Sequence, residues 1–117
     1  MILTIECKQL DPDIAVLEMA GRICLGNASQ QVEWSLAKLL KENHRKIVFD
    51  LSGVTILDST GVGIIVMCHA KVKRAGGILR IAGANGMVEE TLKMTNVDKI
   101  MPFYPSLAAA SQDFQLA

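Results

Sequence analysis

The sequence predicts one α/β domain: a mixed, mostly parallel β-sheet of about five strands packed with four helices, in the order β-β-α-β-α-β-α-β-α. Three observations predict it. Short β-rich runs alternate with longer helical patterns, which implies right-handed crossovers and parallel pairing. The first two runs are separated only by a turn signal, which makes them antiparallel neighbours. The length, 117 residues, is that of one domain, and no Pro/Gly/Ser-rich linker divides it, so 1–117 is read as one unit.

The elements follow in order. Ile2 to Cys7 and Ile14 to Met19 are the leading strands, joined through Leu10-Asp11-Pro12-Asp13. After Gly21 and Gly26, Asn27 caps the first helix with Gln30 three residues on. Val32, Leu36, Leu39 and Leu40 share one face of it, and it ends near Asn43. Lys46 to Leu51 is a compact apolar strand with Asp50 near its carboxyl end. Ser52-Gly53-Val54-Thr55 reads as a loop, followed by the short run Ile56-Leu57. The second helix starts at Asp58-Ser59-Thr60-Gly61 and runs to about Ala75, with Lys71, Lys73 and Arg74 complementing the dipole of its last turns. Gly76-Gly77 supplies the left-handed stop. Ile78 to Ala82 is the next strand, and Gly83 to Gly86 turns into a helix from about Met87 to Met94. Ile100 to Phe103 reads as an edge strand, because Pro102 cannot donate to a central ladder and Pro105 closes the run. Ser106 caps a last helix to about Phe114.

Composition removes several function classes. Twelve basic and twelve acidic side chains give a net charge of zero, without the basic footprint of a nucleic-acid binder. Half the residues are hydrophobic and only 4% aromatic, so an aliphatic core is expected and disorder is not. Cys7, Cys24 and Cys68 are an odd number with no C-x-x-C pair, and neither His44 nor His69 completes a ligand spacing with them. No disulfide framework, metal or cofactor is expected. Met1 to Leu10 carries Glu6 and Lys8 and no cleavage pattern. The most apolar window, Val62 to Ala70, has about half the length that spans a bilayer. A soluble, cytoplasmic protein without membrane insertion is the expectation.

The most unusual segment is Asp58-Ser59-Thr60-Gly61-Val62-Gly63, where a strand-like run passes into a helix at the functional edge of an open α/β sheet. Ser59 or Asp58 caps the helix, and Gly61 and Gly63 leave its start open to another backbone. Two readings stand together: an ordinary capped helix with glycines for packing, or a seat for a phosphoryl group at the positive helix end. Catalysis is not supported. Leu57 stands where a nucleophile elbow needs its first glycine. His69 lies ten residues along the helix from Ser59, about 15 Å at 1.5 Å per residue, so no Ser59–His69–Asp50 triad forms. Val66 replaces the third glycine of a dinucleotide fingerprint after Gly61-Val62-Gly63, and no phosphate loop ends in Gly-Lys-Ser/Thr. His44-Arg45-Lys46 reads as a solvated turn. Met87, Met94 and Met101, with Leu92, suit either a partner surface or the core of the third helix. Trp34 lies off the Val32/Leu36/Leu39 face, a hint of an interface.

The run from Val48 through Asp50-Leu51-Ser52-Gly53-Val54 to Asp58-Ser59-Thr60-Gly61-Val62-Gly63 resembles the STAS domain of the bacterial anti-sigma factor antagonist (anti-anti-sigma) family. The resemblance extends from Leu17-x-x-x-Gly21-Arg22-Ile23 to the C-terminal helix, through Ala75-Gly76-Gly77 and Glu90-Thr91-Leu92. It implies a phosphoprotein of signal transduction, a protein–protein interaction module regulating sigma-factor-dependent transcription. Unphosphorylated, such a module sequesters an anti-sigma factor that is itself a serine kinase; phosphorylation of the serine after the aspartate, here Ser59, releases it. Thr60 is the fallback acceptor, and a serine phosphatase restores binding. The partner-binding set implied is Asp58, Ser59, Thr60, Gly61, Val62, Gly63 and Cys24. Cys24 departs from the pattern: the family commonly has an aspartate there, in G-x-x-D, on a loop near the phosphorylated serine. Both Ser59→Asp and Gly61→Glu are expected to block the partner with the fold intact. The other reading is a STAS subunit of a lipid-transport or stress-signalling scaffold without phosphorylation; an unrecognised small hydrolase is a distant third. A monomer or weak dimer is expected.

Overall fold

Alternation along three central strands divides the apolar residues between the two faces of one sheet. The computed structural model describes residues 2–10 and 13–114. Its elements are β1 (Thr4–Leu10), β2 (Ile14–Ile23), α1 (Asn27–Lys41), β3 (Lys46–Leu57), α2 (Ser59–Arg74), β4 (Ile78–Ala82), α3 (Gly86–Met94), a 3-10 turn (Val97–Lys99), β5 (Phe103–Tyr104) and α4 (Leu107–Ser111). The strands lie in sequence order, β1 antiparallel to β2 and every later pair parallel. The expected class and order hold, with the 3-10 turn added. Of the connection expected at Leu10-Asp11-Pro12-Asp13, Asp11 and Pro12 lie outside the described residues; Leu10 pairs with Ile14 across it.

The main core lies on one face. Leu17, Met19, Ile47, Phe49, Leu51, Leu79 and Ile81 pack there beneath Leu36 of α1, Ile65 of α2 and Leu92 of α3. The other face carries a smaller core, Ile14, Val16, Val48 and Ala82 against Ala110 and Phe114. Arg80 anchors α4 over that face. Its guanidinium donates to the carbonyls of Ala110 at 2.9 Å and Gln112 at 3.0 Å. Its carbon centre sits 5.0 Å from the Tyr104 ring and 4.0 Å from the Phe114 ring.

Five local expectations are corrected. Asn27 is the first helical residue of α1, not its cap; Gly26, at φ 110°, holds the cap position with no side-chain bond. The helix stops at Lys41, and Asn43 turns away with φ 68°. Ser52 to Thr55 is strand, not loop: β3 runs on to Leu57 beside an equally extended β2. Register shifts between Glu18 and Ala20 and between Gly21 and Arg22 absorb the irregularity, and Gly53 fits because a Cβ there would stand 2.8 Å from Ala20 Cβ. The glycine that suggested a loop marks a strand bulge. The last strand is only Phe103–Tyr104; Ile100 precedes it, exposed, and the Pro102 carbonyl accepts the Ile81 N–H at 3.1 Å. Ser106 does cap α4, accepting from the Ala109 N–H at 3.1 Å, but the helix ends at Ser111 and Phe114 packs beyond it.

Candidate functional site

β2 and β3 end side by side, Ile23 opposite Leu57, and the chain after each enters one small region. Asp58 organises it. The Asp58 N–H reaches the Ile23 carbonyl at 3.4 Å. Its Oδ1 accepts the Gly61 N–H at 2.8 Å, and its Oδ2 accepts the Leu25 N–H at 3.1 Å. Of the two cap candidates, Asp58 is therefore the one used. The Gly61 amide, more than any other contact, holds the Asp58 carboxyl below its ordinary value; burial opposes it, and the Leu25 amide lowers it further.

Ser59 is exposed at the first position of α2, and its hydroxyl makes no hydrogen bond to the described residues. Thr60 is half-buried. Gly61 is buried, and a Cβ there would meet the Ile23 carbonyl and Leu57 Cδ1, so the backbone it admits is that of its own chain. A glutamate at Gly61 would thus disturb the fold before reaching any partner, which corrects the expectation that it leaves the domain intact. Val62 belongs to the main core at 8% exposure. Gly63 is exposed with nothing within 4 Å of its Cβ position. From it Val66, Met67 and Ala70 continue along α2 at helical spacing, an uncharged strip ending at Lys73 and Arg74.

Cys24 is half-buried on the loop held by the Asp58–Leu25 bond. Beside it lies a groove of about 480 Å³ lined by Ile2, Leu3, Arg22, Cys24, Leu25, Asn27, Ala28 and Gln31. The structure thus brings Asp58, Ser59, Thr60, Gly63 and the Cys24 loop together, and turns Gly61 and Val62 inward. Sequence reasoning missed the Leu25 amide and the Ile23 carbonyl. Aspartate three residues before a glycine amide is a readable cap signal, but the second bond, from a loop 33 residues away, leaves no local trace.

Other sites behave differently. Asp50 is 7% exposed and accepts the Ser52 N–H at 3.0 Å; alternation with Phe49 and Leu51 turns it to the sheet face opposite α2 and His69. His69 is half-buried, and burial, with the nearby Lys73, lowers its pKa. Met87 and Met94 are exposed on α3, whereas Met101 and Leu92 are buried, so the methionine group divides between surface and core. Trp34 is 67% exposed. Among the described residues, no group of three or more His, Cys, Asp or Glu is placed to hold a metal ion, and no helix is long and apolar enough to cross a membrane.

Residues 7–110 match the STAS domain family. A Thermotoga maritima protein named "Putative anti-sigma factor antagonist" is 28% identical over 101 residues, covering 86% of this chain and 89% of its own. A Thermotoga maritima crystal structure bearing the same description gives a TM-score of 0.86 at 27% identity, over 94% of this chain and 93% of that one. The anti-sigma factor antagonist SpoIIAA, a Bacillus cell fate determinant, has been solved unphosphorylated and phosphorylated; the two forms give TM-scores of 0.66 and 0.67. At 14% and 12% identity, over 86% of this chain and 86% and 90% of theirs, they share its fold.

Proposed function

The chain belongs to the STAS domain family, and on that premise we propose that it is an anti-sigma factor antagonist, a binding module switched by phosphorylation of Ser59. Unphosphorylated, it holds an anti-sigma factor of the serine-kinase type against the surface formed by Ser59, Thr60, Gly63 and the Cys24 loop. Phosphorylation by that partner releases it, and a serine phosphatase resets it. Thr60 is the secondary acceptor. The module works in the cytoplasm and catalyses nothing itself.

One observation carries this reading. Asp58 already caps α2, so the exposed Ser59 hydroxyl is released from structural duty at a helix end that favours an anion. A phosphate there gains the amide end of α2, yet it stands beside Asp58 and changes a neutral patch into a strongly charged one. The solution of SpoIIAA in both forms supports a switch on this fold.

The test is phosphoryl transfer from ATP by the purified kinase-type anti-sigma factor of the same host, followed by mass spectrometry. Wild type is expected to carry one phosphate at Ser59, and Ser59→Ala none, with an unchanged melting curve. Labelling of the Ala variant would move the acceptor to Thr60. A wild type that stays unlabelled would sink the switch and favour the phosphorylation-independent assembly subunit.

A further inference from the structure

The sheet has two edges, and they are not alike. At one, β5 is two residues long and flanked by Pro102 and Pro105, which blunts it against pairing. At the other, β1 offers a regular seven-residue strand, Thr4–Leu10, with no proline and no register shift against β2. Five of its seven residues are exposed, and only β2 bonds to it among the described strands. We propose that this edge pairs with the β1 edge of a second copy of the chain, antiparallel about a two-fold axis at Cys7, to make one continuous sheet.

Charge selects both occupant and register. Antiparallel strands related by a two-fold axis perpendicular to the sheet place one residue opposite itself, so few registers exist. Centring the axis on Glu6 sets Glu6 against Glu6, and centring it on Lys8 sets Lys8 against Lys8; like charges directly opposite destabilise. Centring it on Cys7, the middle of the strand, pairs all seven residues and sets Glu6 against Lys8 twice. The register with the greatest overlap is also the one with complementary charge. Glu6 has no salt bridge among the described residues, whereas Lys8 reaches Glu18 within the chain at 3.0 Å and is held in its charged form by Glu18 and, more weakly, Glu6. A second Lys8 therefore brings Glu6 the cation it lacks. Ser59 follows β3, two strands from this edge, so pairing leaves the α2 site open on both copies.

The experiment uses the full chain carrying Cys24→Ser, which leaves exposed Cys7 and buried Cys68. Sedimentation over a wide concentration range should show a monomer–dimer equilibrium. A short bis-maleimide should then link Cys7 to Cys7, because directly opposite residues have Cβ atoms about 4.5–5.5 Å apart. Glu6→Lys alone, and Lys8→Glu alone, should each weaken self-association on the order of tenfold. Mixing the two variants should restore dimers, since the introduced lysine then faces the introduced glutamate and the native Lys8 of one copy faces the native Glu6 of the other. A wild type that stays monomeric at all concentrations overturns the proposal. So does a dimer whose crosslinking ignores both substitutions, or a mixture that associates no better than its parts.

Discussion

The Asp58 carboxylate accepts the Leu25 N–H at 3.1 Å, so the residue that caps α2 also fixes the loop between β2 and α1. One side chain joins two segments that are distant in sequence. It sets the spacing between Cys24 and Ser59 without using the Ser59 hydroxyl. The structural duty thereby falls on Asp58 and the proposed switching duty on its neighbour Ser59, and each can be altered alone.

Asp58→Ala should therefore destabilise the domain while Ser59→Ala should not. Losing a cap costs about 1 kcal/mol, and losing the second bond about as much again. At about 4–8 °C per kcal/mol for a small domain, thermal melting resolves the difference easily. Ser59→Ala should stay within about 0.5 kcal/mol of wild type. Equal losses in the two variants would mean that the cap is shared.

The Asp58 contribution should also depend on pH. Amide bonds lower its pKa in the folded state, so its stabilisation is complete above the ordinary carboxylate pKa. It is lost as pH falls through the depressed, folded-state value. Urea midpoints of wild type and Asp58→Ala should differ most near pH 7 and converge on the acid side of pH 4. A gap that stays constant throughout would show that the charge of Asp58 does not matter.

The two glycines of α2 should respond with opposite sign. Gly61→Ala drives a methyl into the Ile23 carbonyl and Leu57, an overpacking worth about 1–3 kcal/mol of destabilisation. Gly63→Ala meets nothing within 4 Å and should stabilise by about 0.4–1 kcal/mol through helix propensity. Chemical denaturation of both variants checks this. A stable Gly61→Ala would mean that the β2 end moves freely.

Most of the fold was legible because its signals are local. Gly76-Gly77 ended α2, and Ile78 to Ala82 came out residue for residue as β4. Ser52 to Thr55 was illegible because strand identity there depends on β2 alongside, not on its own turn-like composition. Arg80 gave no sign of its role, since its three carbonyl partners and two rings become neighbours only when α4 returns over the sheet. At the site, the order Asp-Ser-Thr-Gly marked the place. Which glycine faces inward was not readable, because burial of Gly61 comes from Ile23, 38 residues earlier.

The thiols should separate by reactivity. Burial pushes the Cys68 thiol up to about 12, so almost no thiolate exists at pH 8. With an aromatic disulfide reagent, exposed Cys7 should react first, half-buried Cys24 more slowly, and Cys68 only after denaturation. Three rapid equivalents from the native protein would contradict the packing of α2 against the sheet.

Charge at the α2 start, rather than refolding, should govern partner affinity. A phosphoserine adds about −1.5 to −2 charges beside Asp58, and the first-turn amides of α2 can hold that anion with little rearrangement. On the proposed reading, the anti-sigma partner meets a neutral hydroxyl and would have to desolvate the anion next to a carboxylate. A poorly paired interface charge costs several kcal/mol, roughly a hundredfold or more in affinity. Ser59→Asp should weaken binding in that direction with an unchanged circular dichroism spectrum. Gly63→Glu should do so too, without phosphate, since its side chain enters open space four residues further along the same strip. Gly61→Glu cannot serve this purpose, because its loss of binding would be confounded with unfolding. Calorimetric titration of both exposed-site variants against the purified anti-sigma partner decides it. Wild-type affinity in Ser59→Asp would place the interface elsewhere, whereas loss in Ser59→Asp but not in Gly63→Glu would confine it to the first turn and the Cys24 loop.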